Sequence, residues 1–189
     1  FEKGILTLED TGGIALRFGD ADAMLKVIEL IAHRQGIGDI LADGSRKAAQ
    51  RIGRGAEEFA IQVKGVSFGM HEPRLKQGLA LIYAVSPIGA DHMSGSHDTL
   101  FTQEGRGMES ARSLGNLDPL PAKDLSTAKV DMAKNQHLAK MFSDSLVTCN
   151  FVPWTLRQQV DMLRALTGWD YTDFEAMRQA ERVATMARV

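Results

Sequence analysis

Apolar residues recur every three or four positions along much of the chain, and this spacing predicts helices. Near the start, Met24 and Val27 follow the pattern and Gly36 ends it. Near the end, Thr172 and Glu175 form a capping box, which predicts the first turn of a last helix. The predicted helices span residues 23–35, 39–52, 79–85 and 127–146, with two more that begin near Pro153 and Thr172.

Few segments alternate between apolar and polar residues as a β-strand does. Residues 60–64 do so and predict a brief extended segment, which is too short for a sheet of any size. Residues 99–124 are predicted to be irregular. The fold class that follows is all-α: an irregular multi-helix bundle in two subdomains, residues 1–105 and 106–189.

Charge and cysteine content exclude several classes of protein. The net charge of −2 gives no electrostatic reason to expect nucleic acid or an anionic membrane as a partner. No apolar run approaches the ~18 residues that a membrane helix needs, and no signal peptide opens the sequence. The single cysteine, Cys149, excludes an internal disulfide framework. We therefore expect a cytoplasmic protein.

Two segments combine an aspartate with a turn. Asp10-Thr11-Gly12-Gly13-Ile14 can present a carboxylate and bare amides to a polar ligand, although an ordinary surface turn has the same composition. Asp144-Ser145-Leu146-Val147-Thr148-Cys149 lies at the end of a predicted helix. The cysteine is either an iron–sulfur ligand or a small buried apolar residue, and alone it cannot hold a four-iron cluster.

The third segment of chemical interest is a Gly- and Ser-rich loop around His92. A histidine in such a loop can act as an acid or a base near neutral pH. Asp91, His97 and Asp98 lie close by in the sequence and allow a divalent-metal hydrolase as another interpretation, although their spacing matches no standard metal motif. The remaining interpretation is a loop histidine that is hydrogen-bonded to the backbone.

Several short motifs follow one another in a fixed order along the chain. They are Phe1-Glu2-Lys3-Gly4, Asp10-Thr11-Gly12-Gly13-Ile14, Gln62-Val63-Lys64-Gly65, Glu72-Pro73-Arg74, Gly89-Ala90-Asp91-His92 and Asp144 to Cys149. This order resembles the second and third domains of the aldehyde:ferredoxin oxidoreductase family. The resemblance covers nearly the whole chain and is densest over residues 1–95 and 140–152.

The resemblance implies a cofactor and a reaction. Members of that family oxidise aldehydes to carboxylic acids and pass electrons to ferredoxin, using tungsten (or molybdenum) held by two pyranopterins beside a 4Fe–4S cluster. Carboxylates suit the pterins because a pterin edge presents N–H donors. Cys149 would be the fourth cluster ligand, and His92 the active-site histidine that shuttles a proton. The implied cofactor-binding residues are Asp10, Gly13, Ile14, Asp144, Thr148 and Cys149.

The sequence also departs from the family pattern. The second pterin motif has the form Asp-x-x-Gly-Leu-Cys, and here Val147 and Thr148 replace its Gly and Leu. Valine reaches the positive φ that glycine adopts only at a cost. Asp91 is not the commonest residue before the active-site histidine. These departures leave the contact with the second pterin and the substrate open.

The resemblance also implies partners, because the upstream cluster cysteines and the N-terminal pterin-binding domain are absent from this sequence. We expect a fragment that forms half of a cofactor pocket and is inactive alone. Its expected partners are the N-terminal domain of the same protein, ferredoxin and a small aldehyde or acyl substrate, with a homodimer as one assembly. The alternatives are a non-catalytic helical module for interaction or electron transfer, and the tungsten subunit of a benzoyl-CoA-reductase-like complex.

Overall fold

Eight α-helices carry the architecture of residues 1–187, the part of the chain that the computed structural model describes. This content confirms the predicted all-α class. In the same region, one hairpin pairs strand β1 (Gln62–Val63) with strand β2 (Val66–Ser67), and 3₁₀ turns span Ala56–Phe59 and Asp98–Phe101. The helices are α1 (Ala21–Ala32), α2 (Ile37–Leu41), α3 (Ser45–Ile52), α4 (Gln77–Val85), α5 (Arg106–Arg112), α6 (Thr127–Ser145), α7 (Leu156–Thr167) and α8 (Asp173–Met186).

The chain forms two compact units, residues 1–67 and residues 68 onward. These units differ from the domains 1–105 and 106–189 that the sequence suggests. Position 105 lies inside the second unit, because Phe101 before it and Met108 after it pack into one apolar cluster.

The first unit begins with α1, whose N-terminus is capped as its sequence predicts. Asp20 Oδ1 accepts a 2.9 Å hydrogen bond from Ala23 N. The helix then packs closely against α2. A Cβ atom on Gly38 would lie 2.3 Å from Leu30 O, so only glycine permits this approach.

The second predicted helix is in fact two, α2 and α3. Gly44 separates them with a φ of +86°, a left-handed conformation that interrupts the helix. Arg34 and Arg51 each form ion pairs with both Asp39 and Asp43. This network joins the end of α1 to both short helices.

The hairpin of the first unit accounts for the predicted extended segment at residues 60–64. Its turn consists of Lys64 and Gly65, which have φ values of +55° and +88°. Two successive residues of positive φ form the turn that matches the twist of paired strands. The strands are two residues each, so the segment adds no sheet core.

The second unit is built around α6, against which α4 and α8 pack. Residues 99–124, predicted to be irregular, contain α5 and part of a 3₁₀ turn, because Phe101, Met108 and Ala111 bury their side chains against Met132 of α6. The larger apolar cluster joins α6 to α7 and α8. Its buried members are Phe142, Leu156, Val160, Ala176 and Ala180.

The last two helices begin at capping boxes. Thr155 caps α7 and Thr172 caps α8, with the side chains of Gln158 and Glu175 returning the hydrogen bond. The helix predicted to start at Pro153 therefore starts at Leu156. None of the helices within residues 1–187 combines the length and apolar character needed to cross a bilayer.

A buried ion pair joins α6 to the start of α4. Lys129 Nζ lies 2.7 Å from Asp98 Oδ1, and both side chains are almost wholly inaccessible to solvent. The same carboxylate accepts hydrogen bonds from Gly78 N at 2.9 Å and Leu79 N at 3.0 Å. Asp98 thus satisfies the first amides of α4 while Lys129 neutralises its charge.

We predict that Lys129→Met lowers the free energy of unfolding of the second unit by about 3–5 kcal/mol, because it leaves a buried carboxylate without its counter-charge. Urea denaturation followed by circular dichroism measures this change. The matched control is Lys134→Met on the same helix, since its ion pair with Asp131 is exposed and contributes at most about 1 kcal/mol. Equal losses in the two variants would contradict the prediction.

Candidate active site

The turn at Asp10 in the first unit is held by its own hydrogen bonds. Asp10 Oδ2 accepts from Thr7 N at 2.8 Å and from Thr7 Oγ1 at 2.9 Å. Thr11 is buried, and its hydroxyl donates to Ile14 O at 2.6 Å. Gly13 has a φ of +88°, which glycine adopts without strain. The turn therefore presents a carboxylate in a fixed orientation.

Arg54 neutralises this carboxylate. Its Nη2 lies 2.9 Å from Asp10 Oδ1. The hydrogen bond from Arg54, together with those from Thr7, holds the pKa of Asp10 well below its usual range. The aspartate side chain remains 29% exposed. It is an ionised and partly accessible acceptor, suited to a ligand that presents N–H donors.

The second motif follows the last turn of α6 and is also fixed by local hydrogen bonds. Val147 N donates to Asp144 O at 3.0 Å. Thr148 contacts Ser143 O twice, through its N–H at 3.2 Å and its hydroxyl at 3.0 Å. The segment leads directly to Cys149, which is exposed and forms no disulfide.

Val147 has a backbone conformation that glycine adopts freely. Its φ is +55° and its side chain is 91% exposed. For a residue with a Cβ the left-handed region costs roughly 1–2 kcal/mol. The turn at this position is therefore left-handed, as it would be with glycine, although its residue is a valine.

Asp144 is paired with a lysine one helical turn earlier. Its Oδ1 lies 3.0 Å from Lys140 Nζ, and its own side chain is 56% exposed. The pair is not aligned as a hydrogen bond, and in the described region Lys140 Nζ is buried without a hydrogen-bond partner. A carboxylate that is half exposed and only loosely held can accept further hydrogen bonds.

A polar cavity of about 200 Å³ adjoins Cys149. Gln136, Lys140 and Gln159 line it together with Thr148. Ser96 belongs to the same wall and directly precedes His97 in the sequence. The cavity therefore lies between the end of α6 and the loop that carries the histidines.

Three histidines of the second unit are in mutual contact. The ring centroid of His71 lies 4.5 Å from that of His92 and 4.2 Å from that of His97, while His92 and His97 are 6.0 Å apart. Lys76 Nζ lies 2.8 Å from His97 Nδ1 and 3.5 Å from His71 Nδ1. His92 is therefore part of a cluster, here termed the histidine cluster, of His71, Lys76, His92 and His97.

Two of these imidazoles are poor bases. Burial and then the charge of Lys76 lower the pKa of His71, and the same causes lower the pKa of His97 to about 4. Both rings are therefore neutral near pH 7.

The loop that carries His92 is anchored on both sides. The Asp91 carboxylate accepts hydrogen bonds from Met93 N at 3.1 Å and from Ser94 Oγ at 2.9 Å. Ser94 O in turn lies 2.6 Å from Nδ1 of the buried His137 on α6. Asp91 thus organises the backbone of the loop.

The structure distributes the predicted site residues over three places. Asp10, Gly13 and Ile14 share the turn of the first unit, Asp144, Thr148 and Cys149 share the end of α6, and His92 lies in the histidine cluster. Sequence analysis missed Arg54 and Lys76. No sequence motif marks these two residues, because each pairs with a residue that only the fold brings near.

Metal ligands form no complete set in the part of the chain that the structure describes. Within residues 1–187, no group of three or more His, Cys, Asp or Glu side chains is arranged to hold a metal ion. The divalent-metal hydrolase interpretation therefore has no geometric support in the described region. Cys149 is one exposed thiol, and thiolates are the usual ligands of iron–sulfur clusters.

Comparison with known families agrees with the fold and the motifs. The family model for aldehyde ferredoxin oxidoreductase, domains 2 and 3, matches residues 1–189. The chain belongs to this family.

Relatives of established name are oxidoreductases that are much longer than this chain. The aliphatic sulfonate oxidoreductase, WOR-like subunit, of Pyrococcus furiosus is 32% identical over 179 residues, which are 91% of this chain and 24% of that protein. The tungsten-containing aldehyde ferredoxin oxidoreductase of Thermococcus kodakarensis is 29% identical over 192 residues, which are 100% of this chain and 30% of that protein. The chain spans about a quarter to a third of these relatives.

A solved structure shares the fold. The active site complex BamBC of benzoyl coenzyme A reductase, in complex with 1,5-dienoyl-CoA, superposes with a TM-score of 0.68 over 99% of this chain and 33% of that chain, at 22% identity. At this identity the likeness supports the fold alone.

We predict that Val147→Gly raises the free energy of unfolding of the second unit by about 1 kcal/mol. Relief of the left-handed strain, ~1–2 kcal/mol, exceeds the added entropy of glycine in the unfolded chain, ~0.5–1 kcal/mol. The control is Val152→Gly, whose φ is outside the left-handed region and which is expected to lower stability. Urea denaturation compares the two, and a loss of stability in both variants would refute the assignment of strain.

We predict that the second unit loses stability as the pH falls from 6.5 towards 4. The unfolded chain binds protons at His71 and His97 in this range, whereas the folded unit resists them because their pKa values are lowered. Lys76→Met removes one cause of the lowering, so it should flatten this pH dependence relative to Lys134→Met. Denaturation midpoints measured across the range test the difference, and parallel curves for the two variants would argue against it.

Proposed function

We propose that this chain is the pterin- and cluster-binding part of a tungsten oxidoreductase that oxidises aldehydes to carboxylic acids and passes electrons to ferredoxin. The observation that carries the proposal is the second motif. Val147 retains a left-handed backbone at a strain of roughly 1–2 kcal/mol, between the accessible Asp144 and the exposed Cys149. Strain kept at a surface position that packs against nothing is typical of a functional turn.

Asp10 and Asp144 would accept hydrogen bonds from the two pterins. A pterin edge presents several N–H donors, and an ionised carboxylate offers about four lone-pair sites. Asp10 is ionised over the whole physiological range because Arg54 and Thr7 stabilise its charge. Gly13 and Ile14 complete the first turn, and Thr148 fixes the second through its two bonds to Ser143 O.

Cys149 would supply one thiolate to a 4Fe–4S cluster. Its position directly after the second turn would bring that cluster near the pterin bound at Asp144. A four-iron cluster takes four thiolates, so the other three would come from the part of the protein that this chain does not contain. The bound tungsten cofactor and cluster would supply the two-electron redox chemistry of aldehyde oxidation and the path for electrons to ferredoxin.

His92 would carry a proton during the oxidation. An imidazole can accept or donate a proton near neutral pH, and Gly69 confines this one, since a Cβ on Gly69 would lie 3.2 Å from His92 Nδ1. The Asp91 carboxylate also holds the loop, through the hydrogen bonds that it accepts from Met93 N and Ser94 Oγ. We propose a small aldehyde as the substrate class, as the resemblance to the family implies.

The surface of the first unit suits coverage by the rest of a longer polypeptide. An apolar groove of about 700 Å³ is lined by Phe18, Met24, Ile28 and Phe59, all of them largely exposed. Such a surface is unusual on a protein without a partner. More than two-thirds of the length of each relative lies outside the match. We propose that the N-terminal part of the same protein covers this groove.

Metal analysis of the full-length protein tests the proposal. In protein purified without oxygen, we expect tungsten (or molybdenum) and about four irons per chain, the stoichiometry of a 4Fe–4S cluster. Cys149→Ser should lower the iron content several-fold while the fold persists by circular dichroism. Ser145→Ala, four residues earlier and exposed, is the control and should retain both metals.

The outcomes separate the candidate functions. If the full-length protein contains none of these metals, the remaining hypothesis is a non-catalytic helical module for interaction or electron transfer. Metal-loaded protein that oxidises no aldehyde but reduces an aromatic acyl-CoA would favour the benzoyl-CoA-reductase-like alternative. Full iron content in Cys149→Ser would remove the cysteine from the proposed cluster.

A further inference from the structure

The histidine cluster contains two imidazoles and an ammonium that the proposed function leaves without a role. His71, Lys76 and His97 lie beside His92 in the half-buried surface of the second unit. Three adjacent imidazoles could share one proton in several ways. The hydrogen bonds of the cluster decide which ring takes it.

Burial and then Lys76 favour the neutral form of two of the rings. An ammonium group only donates hydrogen bonds, so the Nδ1 atoms of His97 at 2.8 Å and His71 at 3.5 Å must both act as acceptors. Each ring is then neutral and carries its proton on Nε2. Protonation of either Nδ1 would break a hydrogen bond and place a second positive charge against the lysine.

No carboxylate in the described region pairs with Lys76 and relieves this charge. Asp98, next to His97, is held by Lys129 and by the first amides of α4. Asp91 is held by Met93 N and Ser94 Oγ. Glu72, next to His71, forms an ion pair with Arg74 at 2.8 Å.

His92 differs from its two neighbours. Its ring centroid lies 4.5 Å from that of His71, a Cβ on Gly69 would lie 3.2 Å from its Nδ1, and in the described region no hydrogen bond with Lys76 ties its nitrogens. It is therefore the ring of the cluster that can accept a proton without losing a hydrogen bond.

We propose that Lys76 is a positioning residue that holds His71 and His97 neutral, so that a proton entering the cluster resides on His92. This inference rests on the proposed role of His92 in proton transfer. The proton passes from a hydronium ion of the solvent to a ring nitrogen of His92, so one O–H bond breaks, one N–H bond forms, and no electrons are exchanged. The neighbouring rings keep their Nε2–H tautomers throughout.

Nitrogen NMR of the histidine side chains tests the proposal on this chain without any cofactor. The sequence contains five histidines, and single His→Gln variants assign the signals. We expect His71 and His97 to show the Nε2–H tautomer at pH 7 and His92 to be the first of the three to take up a proton as the pH falls. His33, which lies in the first unit, is the reference ring. Nδ1–H tautomers at His71 and His97 in the wild-type chain would overturn the proposal.

Two variants of Lys76 add a readout that a purely structural role would not change. Lys76→Met should let His71 and His97 protonate at a pH at least one unit higher, and protonation should then spread over the three rings. Lys76→Arg keeps the charge and should restore the wild-type order. Unchanged titration of His71 and His97 in Lys76→Met would also overturn the proposal.

The full-length, metal-loaded protein gives a functional readout. Lys76→Met should shift the acidic limb of the kcat profile by about one pH unit, because the neighbouring rings then compete for the proton, whereas Lys76→Arg should not. A full-length protein that lacks the metals would refute the proposed function, yet the tautomers and titrations would still decide the role of Lys76. An active enzyme whose profile is the same in Lys76→Met would refute this inference alone.

Discussion

The contact between Lys129 and Asp98 fixes the second unit, and the arrangement of its chemical groups depends on it. One carboxylate caps α4, adjoins His97 and binds α6. The histidine loop is thereby attached at its end to the two helices that form the centre of the unit. Because the pair is buried, neither charge can leave without exposing the other to an apolar surrounding. The buried contacts of Asp98 with α4 and α6 therefore hold the end of the histidine loop in place.

Two turns of this protein have an unusual backbone conformation that local hydrogen bonds hold in place. The turn after α6 keeps a β-branched residue in a left-handed conformation, and the turn at Asp10 depends on Thr7, Thr11 and two glycines for its shape. In both places the side chain of interest is a carboxylate that stays partly accessible. In both turns, hydrogen bonds fix the backbone conformation in addition to side-chain packing. Such a fixed backbone is expected where a protein binds a ligand in one geometry.

Periodicity and capping predicted the helical class and most helices, because α1, α6 and α8 are long enough to repeat their pattern and carry clear N-caps. The pattern was wrong at Gly44, where the structure has two helices in place of one predicted helix. It also missed α5, because the apolar residues of this helix are too few to show a period. Motif order predicted site residues in the segments with Asp10, Asp144, Cys149 and His92. It could not reveal Arg54 or Lys76, since charge pairing between distant positions leaves no local trace. The structure also shows that the ring of His71 lies between those of His92 and His97 in one cluster.

The pairing of Arg54 with Asp10 has a consequence for cofactor loading under the proposed function. The edge of a pterin that faces a carboxylate is itself a cyclic guanidine, so the arginine offers Asp10 the same kind of donors that the cofactor would bring. Arg54 would then compete with the cofactor for the Asp10 carboxylate. Loading becomes an exchange of the charged guanidinium of Arg54 for the neutral guanidine of the pterin, so the carboxylate would give up its counter-charge. Such an exchange would lower the affinity for the cofactor, whereas the hydrogen bonds from Thr7 would keep the turn in its shape.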